Sequence, residues 1–169
     1  LRRLWLWQPL TYMFLHGGVF HILFNMLAVW MFGTELERIW GTRRFVRFYL
    51  VTGVGAGVVT VVFSLLPLDV AQSLYRSNVI GASGAVYGLL LAYGMYFPDR
   101  PIYLYMLFPI PAKIFVVVMG LIAFYASLSN PGGGVANATH LGGLLVGYAL
   151  LKTPTVRLSP AAEVKYRVT

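Results

Sequence analysis

Cysteine is absent from this chain of 169 residues, which excludes disulfides, thiolate catalysis and cysteine-ligated metals. Acidic groups are nearly as scarce: Asp and Glu number five, and charged residues of both signs make up 11%. A soluble domain is roughly one quarter charged, so water would not tolerate the surface that this composition presents. The period-2 alternation of barrel strands is missing as well. No signal peptide with a basic start, short apolar run and cleavage site is visible after Leu1. What remains is apolar: 59% hydrophobic residues and a mean hydropathy of +0.74. The chain reads as an all-α, polytopic membrane protein, because a helix pairs its own backbone groups inside hydrocarbon.

Five helical stretches are expected. Residues Leu1 to Gly18, with Trp5, Trp7, Tyr12 and Phe14 around Pro9, have the aromatic content of a loop lying in the membrane interface. The first helix is expected from about Val19 to Arg38, and the second from Phe45 to Leu66. A more polar loop follows, Pro67 to Ile80. The third helix, about Ser83 to Phe97, is stopped by Pro98-Asp99-Arg100-Pro101. At ~1.5 Å per residue it is short for a hydrocarbon core of ~30 Å, so one of its ends should lie below the membrane surface. A fourth helix is expected over about Lys113 to Leu128, after Pro109 and Pro111. The glycine-rich loop Ser129 to Gly134 precedes a fifth, about Ala136 to Leu151. Residues 1–151 thus form one core and 152–169 a polar tail on its cytoplasmic side.

The net charge of +8 and a pI near 10 would suit a nucleic-acid partner, but the placement of the charges removes that reading. With five spans, one side collects Arg38, Arg43, Arg44, Arg47, Arg100, Lys113, Lys152, Arg157, Lys165 and Arg167. The other side holds Arg2, Arg3 and Arg76. Under the positive-inside rule the C-terminus is cytoplasmic and Leu1 is not, which leads to the expectation of a further helix before Leu1. The partner is the lipid bilayer.

Polar side chains inside membrane spans are costly and mark function. The first helix carries His21 and Asn25, four apart and hence on one face. The third opens with Ser83, and the fifth with Asn137 and His140. In the expected topology all of these lie toward the outer ends of their helices. Each has a plainer reading: Ser83 as a small packing residue, His21 with Asn25 as an interhelical hydrogen-bond pair, His140 as a cap, His16 as a structural hydrogen bond. Gly84 and Gly88, and Gly143 and Gly147, are spaced to let the third and fifth helices approach closely, which would bring Ser83 beside His140. A serine hydroxyl needs an adjacent base, and a neutral histidine supplies one. No acid falls in the outer half of a helix, so a Ser–His dyad is the most this chain offers. His21, Asn25 and the Ser83 backbone N–H are candidate oxyanion donors. A metal site is disfavoured, since His16, His21 and His140 are joined by no carboxylate, and no cofactor is expected.

Taken together, these stretches resemble the rhomboid family of intramembrane serine proteases. The likeness rests on Gly81-Ala82-Ser83-Gly84 with Tyr87, on His16 to Asn25, and on Ala136-Asn137-Ala138-Thr139-His140 with Gly143 and Gly147, in that order along the chain. It implies a bacterial-type, multi-pass inner-membrane core of six helices, of which five are present here. Ser83 would be nucleophile, His140 general base and acid, His21 and Asn25 oxyanion donors, and Tyr87 would pack on the base. Gly81, Gly84, Asn137, Gly143 and Gly147 would support them. The site would open away from the cytoplasm, and substrates would be transmembrane proteins cleaved near the outer end of a helix. The likeness also makes Gly33 to Glu37 with Trp40-Gly41 the turn after the histidine-bearing helix, and Ser129 to Asn137 a mobile cap. Where the family often has Trp-Arg in the interfacial loop, this chain has Trp7-Gln8. The alternatives are an inactive relative that binds membrane-protein helices, and a transporter whose polar groups line a path.

Overall fold

The computed structural model describes residues 7–67, 71, 78–104, 107–129 and 135–153. Six helices dominate: α1 (Gln8–Thr11), α2 (Val19–Trp40), α3 (Thr42–Ser64), α4 (Ser83–Tyr96), α5 (Ala112–Ser129) and α6 (Val135–Leu151). Three of them, α2, α3 and α5, are long and apolar enough to cross a membrane. Most of the 67–80 loop, the glycine run 130–134 and the tail from residue 154 lie outside the described residues.

Side-chain size sorts the helices between core and periphery. α4 is central: ten of its fourteen residues are buried, three of them glycine or alanine in its first turn and a half. α3 buries one stripe, Phe48, Thr52, Gly53, Ala56, Gly57 and Thr60, which recurs at helical spacing. Its other faces expose Val51, Val58, Val61 and Val62. α5 is peripheral, burying Ala112, Val116 and Ala123 while exposing Val117, Leu121, Ile122, Phe124 and Leu128. Apolar side chains face outward because the solvent is lipid. Small residues collect inside because close backbone approach holds membrane helices together.

The main apolar cluster joins Phe32, Leu36 and Trp40 of α2 to Phe48 of α3, Leu89, Leu90 and Tyr93 of α4, and Leu151 of α6. α2, α4 and α6 all begin at one end of the bundle, where Ser83, His140 and His21 lie. The opposite end is tied by Glu35, which accepts from Arg38 at 2.6 Å and from Arg100 at 3.0 Å. Arg38, Arg100, Lys113 and the arginines opening α3 therefore gather at the end away from Ser83.

Four features depart from the sequence expectation. Within the expected interfacial loop, α1 with Pro9 in its first turn and a 3₁₀ turn (Tyr12–Phe14) are folded onto α3. Tyr12 and Met13 are buried, and the Tyr12 hydroxyl donates to the Gly53 carbonyl at 2.7 Å. The first span runs two residues further, to Trp40, and contains a π-helical segment (Val29–Gly33). Asn25 toward one end of this span and Phe32, Leu36 and Trp40 toward the other are all buried. α3 starts at Thr42 rather than Phe45, directly after Gly41, whose φ of +78° turns the chain back. Finally, a small antiparallel hairpin, β1 (Pro101–Leu104) and β2 (Phe108–Pro111), connects α4 to α5. Its prolines at positions 101, 109 and 111 forbid helix, and Ile102, Tyr103, Phe108 and Ile110 suit a pleated strand.

Candidate active site

Ser83 is the first residue of α4. The preceding turn is held by a hydrogen bond from the Gly81 N–H to the Tyr12 carbonyl at 2.9 Å. Gly81 has φ +110°, a conformation open to glycine, and the imidazole of His21 occupies the space a side chain would take there. A Cβ at position 81 would lie 2.6 Å from His21 Nε2. Both constraints select glycine, and both serve to set His21 against the turn that carries Ser83.

His140 is in the second turn of α6, and its Nε2 lies 2.8 Å from Ser83 Oγ. Fifty-seven residues separate the pair, and backbone contact between α4 and α6 joins them. Gly143 packs on the Gly84 carbonyl so closely that it leaves no room for a Cβ, and Gly147 sits against Gly88 Cα one turn on. Thr139, beside His140, is buried and shares a 2.9 Å hydrogen bond with Thr60 of α3, which fixes the same turn from the other side.

The Tyr87 ring, one turn after Ser83, stacks on the His140 imidazole with centroids 4.1 Å apart and planes within 5°. Among the described residues no carboxylate takes the position on the other side of the His140 imidazole. His140 Nδ1 is buried without a hydrogen-bond partner among the described residues. Glu35 and Asp99 are held by Arg38, Arg100 and Lys113, and Glu37 accepts from the Thr42 hydroxyl. The Tyr87 stack and the Nε2 contact with Ser83 together restrain the ring.

On α2, His21 Nδ1 accepts from the Gly17 backbone N–H at 3.3 Å. In the neutral imidazole this puts the proton on Nε2, the nitrogen that faces Gly81, so His21 offers a donor toward the Ser83 turn. Asn25 is buried, and its amide nitrogen donates to the His21 carbonyl at 2.8 Å, one turn back. A carboxamide has two N–H groups, so this bond orients the amide and leaves one donor. Asn137 is half-buried in the turn before His140.

His16 differs from its expected structural hydrogen bond. Its ring meets that of His21 edge-on with centroids 5.0 Å apart, and both its nitrogens are buried with no hydrogen-bond partner among the described residues. Thr60, Thr139, Tyr12 and Gly17 are support residues that sequence reasoning missed. Of these only Thr139, adjacent to His140, carried a positional signal. No group of three or more metal-ligating side chains occurs among the described residues.

Comparison with known proteins gives this arrangement its context. The Rhomboid domain model matches residues 3–154. Rhomboid protease GluP of Bacillus subtilis is 34% identical over 144 residues, covering 84% of this chain and 25% of its own length. Rhomboid protein 1, mitochondrial, of Saccharomyces cerevisiae is 32% identical over 135 residues, covering 79% of this chain and 38% of its own length. RHOMBOID-like protein 4 of Arabidopsis thaliana is 34% identical over 147 residues, 85% of this chain and 33% of its own length. The chain thus spans between 25% and 38% of the length of these relatives. With the match running across both the Ser83 turn and the His140 helix, the chain belongs to the rhomboid family, a membrane-embedded family of the intramembrane-protease type.

Proposed function

We propose that this protein is an intramembrane serine endopeptidase that cleaves transmembrane proteins within or beside a membrane helix. The observation that carries the proposal is the 2.8 Å contact between Ser83 Oγ and His140 Nε2, at the membrane-helix ends where His21 and Asn25 also lie. An inactive helix-binding relative needs no such contact.

In the proposed reaction His140 Nε2 removes the Ser83 hydroxyl proton as Oγ attacks the scissile carbonyl carbon. The carbonyl oxygen becomes an oxyanion and receives hydrogen bonds from His21 Nε2–H, the free Asn25 amide N–H and the Ser83 backbone N–H. Collapse breaks the C–N bond, and the proton on His140 passes to the departing amine. Water, deprotonated by His140, then attacks the acyl-Ser83 ester; the proton passes to Oγ as the C–O bond breaks, and the carboxylic acid product ionises to solvent. Tyr87 keeps the imidazole plane fixed through both proton transfers. Removing a single oxyanion donor from a preorganised site costs about 10²–10³ in rate.

Ser83, His140 and the donors sit in the first or second turns of their helices, which suits a site reached from one membrane face. The charge distribution supports that face being the non-cytoplasmic one. A serine-reactive fluorophosphonate should label the membrane-embedded protein, and Ser83→Ala should abolish both the label and cleavage of a transmembrane substrate. Equal labelling of the alanine variant would overturn the assignment.

A further inference from the structure

We infer that the β1–β2 hairpin lies flat against the bilayer at the end of the bundle away from Ser83, with Phe108 seated in lipid and Tyr103 facing water. In the strand register Ile102 pairs with Ile110 and Leu104 with Phe108, so these positions share one face, while Tyr103 and Pro109 occupy the other. Ile102 is buried in the main apolar cluster beside Trp40 and Phe97, which makes its face the one turned toward the helices. Two residues further out, about 7 Å along the strand, the same face reaches Phe108, which is 65% exposed. The ribbon's inner face therefore continues past the rim of the bundle.

Beyond that rim the bundle's neighbour is lipid. The hairpin is fixed to the ends of two membrane-embedded helices by hydrogen bonds from the Ala112 N–H to the Arg100 carbonyl and from the Lys113 N–H to the Pro98 carbonyl. β2 runs directly into α5, whose outward apolar surface begins at Ile114. Lys113 and Asp99, paired at 2.6 Å and both exposed, mark the polar level from which the ribbon leaves. Phe108 extends the apolar surface of α5 sideways at that level, and an aromatic ring there buries apolar area in the acyl–headgroup boundary. Tyr103, 57% exposed on the opposite face, points away from the membrane. This inference rests on the membrane setting alone and holds equally for a catalytically dead protein.

The absence of native cysteine makes the test direct. Phe108→Cys and Tyr103→Cys, each with one nitroxide spin label, would be compared in phospholipid nanodiscs with Val118→Cys on the lipid face of α5 and Arg43→Cys in water. Collision with oxygen, which concentrates in lipid, and with a water-soluble nickel chelate would be measured at each site. The Phe108 label should lie between Val118 and Arg43, clearly shifted toward oxygen, and the Tyr103 label should match Arg43. A nickel-accessible Phe108 label overturns the inference, as does equal lipid exposure of the two hairpin sites. Protection of Phe108 from both reagents would also overturn it, showing protein, such as a second copy of the chain, on that face.

Discussion

Replacing Gly143 by alanine tests whether the contact between α4 and α6 is what brings Ser83 to His140. A Cβ at position 143 would press on the Gly84 carbonyl oxygen and lie 3.3 Å from Gly84 Cα. The obstacle is backbone, which has no rotamer to swing aside, so the helices must separate by about 1 Å before ordinary contact is restored. Gly84 adjoins Ser83, and Gly143 lies three residues after His140, so most of that separation reaches the 2.8 Å Ser83–His140 contact. At nearly 4 Å it would no longer be a hydrogen bond.

Overpacking costs about 1–3 kcal/mol, but alanine in a helix interior returns about 1 kcal/mol of propensity relative to glycine. Stability is therefore the weaker readout, and a modest loss is expected. Rate is the stronger readout, since a misplacement of about 1 Å at a reacting pair costs on the order of 10²-fold. Initial rates on a transmembrane substrate in nanodiscs should fall by about that factor, with folding followed in parallel by thermal unfolding. Gly120→Ala serves as the control, because its Cβ would meet only Leu144 Cδ1 at 3.4 Å. Wild-type cleavage by Gly143→Ala would refute the claim that this backbone contact positions the dyad.

Two further outcomes follow from the same geometry. Tyr87→Phe keeps the ring stacked 4.1 Å from His140 and should retain near-wild-type cleavage. Tyr87→Ala frees the imidazole and should lower kcat by roughly 10-fold or more with little change in KM, because proton transfer depends on the ring's placement. Glu35→Gln removes the negative charge that pairs with Arg38 and Arg100 at the opposite end of the bundle and should leave kcat unchanged. Those pairs are partly exposed, so the stability loss measured by thermal unfolding should stay within about 1 kcal/mol.

The composition and spacing of the sequence already determined a helical membrane protein, the five main helices to within a few residues, and the short third helix. The reason is physical: hydrocarbon forces each apolar run to pair its own backbone, so runs and breakers such as Pro98 and Pro101 mark the helices directly. The polar groups Ser83, His140, His21 and Asn25 stood out for the same reason, being costly where they lie.

Tertiary structure decided what local pattern cannot encode. The π-helical turn at 29–33 lies within an unbroken helix between Asn25, near the candidate site, and Leu36 with Trp40 in the main apolar cluster. The hairpin at 101–111 is too short to show a period and needs the bundle's end for Ile102 to cover. Histidine and asparagine announce themselves by type. Their pairing is set by atoms with no type to read: the Gly17 N–H, the Tyr12 carbonyl and the vacant Cβ positions of Gly81 and Gly143. Sequence named the polar side chains, and backbone packing between helices distant in sequence set the 2.8 Å between two of them.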